Sequence, residues 1–136
     1  MAVLPTSSIN ITGGVNFQNQ PSLSWYINKE TNRIEGTVNG QAAVRQAVEI
    51  ILNVERFRWQ IYRPYSCMEW DGLIGQDPGY VGAELQRRVI NALTVDDRVT
   101  GISDYDYTVD GSSLSAVFTV NTVYGSIAES VEVPLQ

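Results

Sequence analysis

This sequence predicts a small single α+β domain, an antiparallel sheet with two helices packed on one face. Three observations carry that reading. Two stretches with a three-to-four apolar repeat follow one another, Ala43 to Leu52 and Val81 to Leu93. Alternating aromatic and β-branched runs cluster toward the two ends of the chain. Turn chemistry separates the runs, at Asn39-Gly40, Asp77-Pro78, Asp110-Gly111 and Gly125. Consecutive helices between groups of strands suit an α+β domain. With 136 residues and 43% hydrophobic side chains, the chain can bury one core.

Residues 1–20 are rich in Ser, Asn, Thr and Gly after Leu4-Pro5. They read as an extended arm ordered by partners, or else as a loose tail. The domain proper is then 21–136. Ser22 to Gly36 reads as a hairpin, Trp25-Tyr26-Ile27 against Arg33-Ile34-Glu35, turning at Asn28 to Asn32. Asn39-Gly40 caps a helix that Asn53 ends. The period then changes. Phe57, Trp59 and Ile61 alternate with Arg56, Arg58, Gln60 and Tyr62, which predicts an extended ribbon with one apolar face.

Ser66 to Gly79 is rich in Gly and Asp and reads as a surface loop with some packing from Met68, Trp70 and Leu73-Ile74. Asp77 as cap and Pro78 in the first turn open a second helix, with Val81, Leu85, Val89 and Leu93 as its buried stripe. Glu84 and Arg88 form an i,i+4 pair. Arg98 to Val109 reads as a strand with Tyr105, Tyr107 and Val109 on one face. Asp110-Gly111 turns it into Leu114 to Tyr124, where Ala116, Phe118 and Val120 line one face. Ser126 to Val133 is the last strand, stopped by Pro134. It places Glu129 on the same side as Ile127 and Val131. An inward charge of that kind discourages indiscriminate strand pairing, or marks an edge kept for a chosen partner.

Nine basic and fifteen acidic side chains give a net charge of −6, which argues against nucleic acid as a partner. The start of the chain lacks a basic, then apolar, signal pattern, and no stretch approaches a membrane span, so synthesis and folding in the cytoplasm are expected. The lone Cys67 allows no internal disulfide and suits a reducing compartment. With no histidine in the chain to activate it, Cys67 reads as a half-buried structural thiol. No cofactor or metal is expected, because neither a carboxylate-rich calcium loop nor a phosphate-cradling glycine loop occurs.

Two motifs remain. The first helix ends in Leu52-Asn53-Val54-Glu55-Arg56 and runs into an aromatic segment with Ile61-Tyr62. The second ends in a turn, Asp96-Asp97-Arg98. In this order, with the closing strand Phe118 to Gly125, they cover about Gly36 to the C-terminus. This resembles the baseplate wedge, or sheath-initiator, family of contractile phage, prophage and tailocin tails, and within it the branch from defective prophages of Gram-positive bacteria. That family places an acidic residue, a proline and an arginine at the second motif. Asp96 and Arg98 match; Asp97 stands in place of the proline, which leaves the charged contact but puts a rigid-turn role in doubt.

The resemblance implies a structural subunit, made in the bacterial cytoplasm and ending in a baseplate. Several copies would ring the tail tube, six in related tails. It implies binding to larger wedge proteins through Asp96, Asp97 and Arg98, and nucleation of the sheath by strand addition. Tube or hub proteins are further candidate partners. The strands from Leu114 to Val133, with Phe118, Val120, Ile127 and Val131, are the candidate edge. Glu55, Arg56 and Arg63 are candidate interface residues, since arginine among Trp and Tyr is typical of protein–protein hot spots. The bland alternative is that Arg56 or Arg63 pairs internally with Glu49 or Glu55.

An enzyme reading competes, because some members of that family carry a lysozyme label. A retaining glycosidase needs two carboxyls about 5–5.5 Å apart. Glu55, Glu69 and Asp71 lie near aromatics, but their spacing pairs none across a cleft. A stress-response adaptor of similar shape is a third alternative.

Overall fold

The computed structural model describes residues 22–63 and 67–135. The expected arm at 1–20 lies outside the described residues. Two short strands, β1 (Ser24–Asn28) and β2 (Arg33–Val38), form an antiparallel hairpin. Helices α1 (Gly40–Asn53) and α2 (Pro78–Leu93) follow, then β3 (Val99–Asp110), β4 (Ser113–Thr122) and β5 (Gly125–Pro134). The C-terminal strands form an antiparallel sheet in the order β3-β4-β5. The hairpin is a separate two-stranded sheet and does not extend it.

Caps explain both helix starts. The Asn39 side chain accepts from Gly40 N, and Asp77 accepts from Gly79 N with Pro78 in the first turn. Helix α1 buries Ala43, Val44, Val48 and Leu52; α2 buries Val81, Leu85, Val89 and Leu93. Alternation along β4 sends Leu114, Ala116, Phe118 and Val120 to the same core, joined by Ile127, Val131 and Val133 from β5. Both helices therefore cover one face of the sheet. The other face presents Ser115, Val117, Ala128, Ser130 and Glu132.

The contact between α2 and β3 is close. The Tyr105 hydroxyl donates to the Gly82 carbonyl at 2.7 Å. A Cβ at Gly82 would stand 2.5 Å from the Tyr107 ring. Glycine suits this position because the Tyr107 ring occupies the space a side chain would need.

Three expectations change. The ribbon after α1 is not a strand. Phe57 sits at φ +69, which breaks the alternation, and the segment's ladder contact is one isolated bridge, Glu55 to Met68. Second, Cys67 is not half-buried, although the loop that it opens lies at the surface with some packing, as expected. Cys67, Met68 and Leu73 are fully buried, so the thiol is a core group. Arg88 holds this loop by donating Nη1 to the carbonyl of Glu69 at 3.0 Å while its Nε engages Glu84. Third, β3 carries an irregularity between Ser103 and Asp106, with Asp104 at φ +54.

Candidate functional site

The turn between α2 and β3 is closed by two backbone bonds, Asp96 N to Leu93 O and Val99 N to Asp96 O. These shape the turn without a proline. Arg98 grips Asp96 in a two-point fork, Nε to Oδ1 at 2.9 Å and Nη2 to Oδ2 at 2.7 Å, and Arg98 N also donates to Oδ1. The fork holds the Asp96 carboxyl below its usual range against the opposing effect of burial. Asp97 is exposed. The fork uses one edge of the guanidinium, so Asp96 presents Arg98 rather than competing with it.

The segment Glu55 to Arg63 is a tight exposed loop. Phe57, Trp59 and Ile61 are 71%, 54% and 84% exposed. Arg56 lies over the Phe57 ring at 5.9 Å and Arg58 over Trp59 at 5.5 Å. Glu55 pairs with Arg58, and Glu49 with Lys29. These two carboxylates are the internal partners weighed for Arg56 and Arg63. Arg56 N donates to Met68 O, which ties the base of the loop to the core.

The sheet has two edges. Strand β4 lies between its neighbours along its whole length, so Phe118 and Val120 belong to the core and not to an edge. That narrows the candidate edge to β5. Its ladder with β4 runs without a register break, and beyond it Leu135 N donates to Ser112 O at 2.6 Å. In an antiparallel ladder this direction alternates. Ile127, Glu129, Val131 and Val133 therefore direct their backbone groups to β4, and Ser126, Ala128, Ser130 and Glu132 direct theirs outward. The Ser126 carbonyl receives the Gln41 side chain at 3.5 Å. Among the described residues, Ala128, Ser130 and Glu132 meet no partner there. Pro134, without an N–H, ends the edge on the outward side.

The β3 edge is different. The same alternation from the Asp110–Ser113 closing pair turns Tyr107 outward. Its N–H is taken by the Asp106 carboxylate at 2.9 Å. Of the acids weighed for hydrolysis, Glu55 pairs with Arg58, whereas Arg88 takes only the backbone carbonyls of Glu69 and Asp71. Sequence reasoning missed the exposed hairpin residues Leu23, Trp25 and Ile34 as surface, since a half-buried strand would show the same alternation.

An α+β domain that exposes an arginine–aromatic loop, an apolar hairpin and an open sheet edge is a module of protein assembly. The chain belongs to the contractile injection system sheath initiator family, whose model matches residues 24–125. It is also 28% identical over 112 residues to the phage-like element PBSX protein XkdS of Bacillus subtilis strain 168, covering 79% of each chain. The family expected from the two motifs is therefore the right one. The protein is a structural component of a contractile injection system, with a role in its baseplate and sheath.

Proposed function

We propose that the protein is a baseplate wedge subunit that docks on larger wedge proteins and starts the sheath by accepting a strand from the first sheath subunit. The observation that carries this is the β5 edge, regular and open at Ala128, Ser130 and Glu132 beside a β3 edge that is bulged and self-capped. Strand addition uses outward backbone groups for affinity and alternate side chains for register. The Asp96–Arg98 turn is the wedge contact: a pre-formed fork presents the free edge of a guanidinium to a partner carboxylate or carbonyl. The Glu55–Arg63 loop is a second docking surface for neighbouring baseplate subunits, with Ile127 and Val131 supporting the sheet edge from the core. A ring of six copies fits this role.

The test is proline placement. Ser130→Pro removes one outward N–H and leaves the ladder to β4 intact, so the domain stays folded and sheath assembly fails. Sheaths of normal length on Ser130→Pro particles would reject strand addition at this edge. Arg98→Ala should drop out of assembled baseplates while remaining folded alone; normal incorporation would reject the wedge contact.

A further inference from the structure

One face of the β1–β2 hairpin is apolar and exposed. Trp25 pairs with Thr37, and Ile27 with Ile34. Cross-strand partners share a face, and Trp25 and Ile27 are two residues apart on β1, so all four lie on one side. An extra residue on β2, with Gly36 at φ +71, keeps Ile34 and Thr37 in phase. Trp25 and Ile34 are 68% and 67% exposed, and Leu23, two residues before Trp25, is exposed as well. Tyr26 and Val38, on the opposite face, line a groove beside α1. We propose that the exposed face is covered by residues 8–18 of the same chain, folded as a second, amphipathic hairpin.

The form of the occupant follows from its pattern. Ile9, Ile11, Val15 and Phe17 alternate with Ser8, Asn10, Asn16 and Gln18 about Thr12-Gly13-Gly14. A three-residue hairpin loop with glycine in its left-handed last position sets Ile11 opposite Val15 and Ile9 opposite Phe17. The apolar side chains then share one face and the polar ones the other. A two-residue loop at Gly13-Gly14 would divide the apolar side chains between the faces. A two-stranded hairpin alone is marginal in water, so each apolar face gains from being covered by the other.

That the occupant comes from the same chain follows from the tether. Ser22 is buried and its Oγ lies 2.8 Å from the Tyr124 hydroxyl, which fixes where the segment joins the domain. Asn19, Gln20 and Pro21 separate it from Gln18, a reach of at most about 14 Å. Facing sheets pack about 10 Å apart, within that reach. So short a tether holds the second hairpin at a local concentration on the order of millimolar, above that of a second copy. Residues 1–21 carry no charged side chain, so the contact is apolar and indifferent to salt.

The test is photo-crosslinking in the purified full chain. Benzoylphenylalanine replaces Phe17 on the apolar face or Gln18 on the polar one. From position 17 we expect adducts within the same chain, at residues 23–37, in a yield at least fivefold above that from position 18 and equal at low and high salt. Gly14→Val, which resists the left-handed turn, should lower that yield at least fivefold, and Gly14→Asn should keep it. Trp25→Lys with Ile34→Lys changes exposed side chains alone and should lower it as much. Adducts to a second copy, scattered over the domain, equal from both positions, or absent would overturn the proposal. So would a yield that Gly14→Val or the paired lysines leave unchanged.

Discussion

The two edges of the three-stranded sheet are made of the same backbone and have opposite fates. At β3 a bulge at Asp104, three aspartates and a carboxylate seated on the Tyr107 N–H leave no regular row of donors and acceptors. At β5 ten consecutive pairs hold the strand straight, and the residues facing outward are small except for Glu132. An exposed regular edge invites pairing with other chains, and proteins normally blunt it. Here one edge is blunted and the other is left in shape. The proposed strand addition would use that asymmetry: two open edges would let a partner add on either side, and none would give it no template.

The largest expected effect separates the two directions of β5. Val131→Pro removes an N–H that faces β4 and trims a buried side chain. It should cost on the order of 3 kcal/mol and lower Tm by more than 10 °C. Ser130→Pro should cost under about 1 kcal/mol. Equal losses from the two variants in a urea melt would mean that the ladder direction assigned to β5 is wrong. Next in size is Gly82→Ala, which forces the Tyr107 ring off α2 at a cost of about 2 kcal/mol. Because that ring is at the surface, Tyr107→Ala in the same chain should recover most of the loss. A double-mutant cycle without coupling would show that helix and β3 do not touch there.

Both helices, their caps and the three C-terminal strands were legible because each rests on local chemistry: Asn39 and Asp77 as caps, a four-residue stripe on α2, a two-residue alternation on β4. The stretch after α1 was misread for a physical reason. Alternating aromatics and arginines look the same whether they lie on a strand or on a turn, and a left-handed Phe57 cannot be seen in a periodicity. The full burial of Cys67 was missed because the Gly and Asp residues that follow it read as solvent-facing, as Asp71 and Gly72 are, whereas Arg88 holds the loop's carbonyls from α2. The choice of edge was also hidden. Strand order is a long-range property, and the inward direction of Val131 against the outward direction of Ser130 follows only once the register is known. The Asp96–Arg98 motif was legible as a position, but not as a fork closed on itself.

That closed fork sets the third effect. Arg98→Ala leaves a half-buried carboxylate without its partner and should cost about 1–2 kcal/mol. The folded state holds Asp96 below its usual range, so the contribution of the fork is full above the normal carboxylate pKa and fades as pH falls through the lowered one. Wild type and Arg98→Ala should therefore converge in stability in acid. A gap that stays constant down to low pH would assign the loss to packing instead.

Glu129 gives the smallest effect and the sharpest probe of why β5 is open but not sticky. It faces inward from the edge, where burial pushes its carboxyl above the ordinary value, Glu49 adds to the rise, and Arg45 and Lys29 oppose it. A raised carboxyl pKa means that the folded state holds the proton more tightly. The stability from that proton is full below the unfolded pKa of about 4.5 and is lost as pH rises through the folded one. At neutral pH the charge is therefore a small cost, which Glu129→Gln removes. The variant should gain up to about 0.5 kcal/mol at pH 7 and nothing at pH 4. Without the inward charge its edge should also self-associate at concentrations where the parent stays monomeric, as light scattering would register. A variant that is no more adhesive than the parent would mean that Glu129 plays no part in guarding the edge, and that the selectivity of β5 lies in its side chains on the outer face.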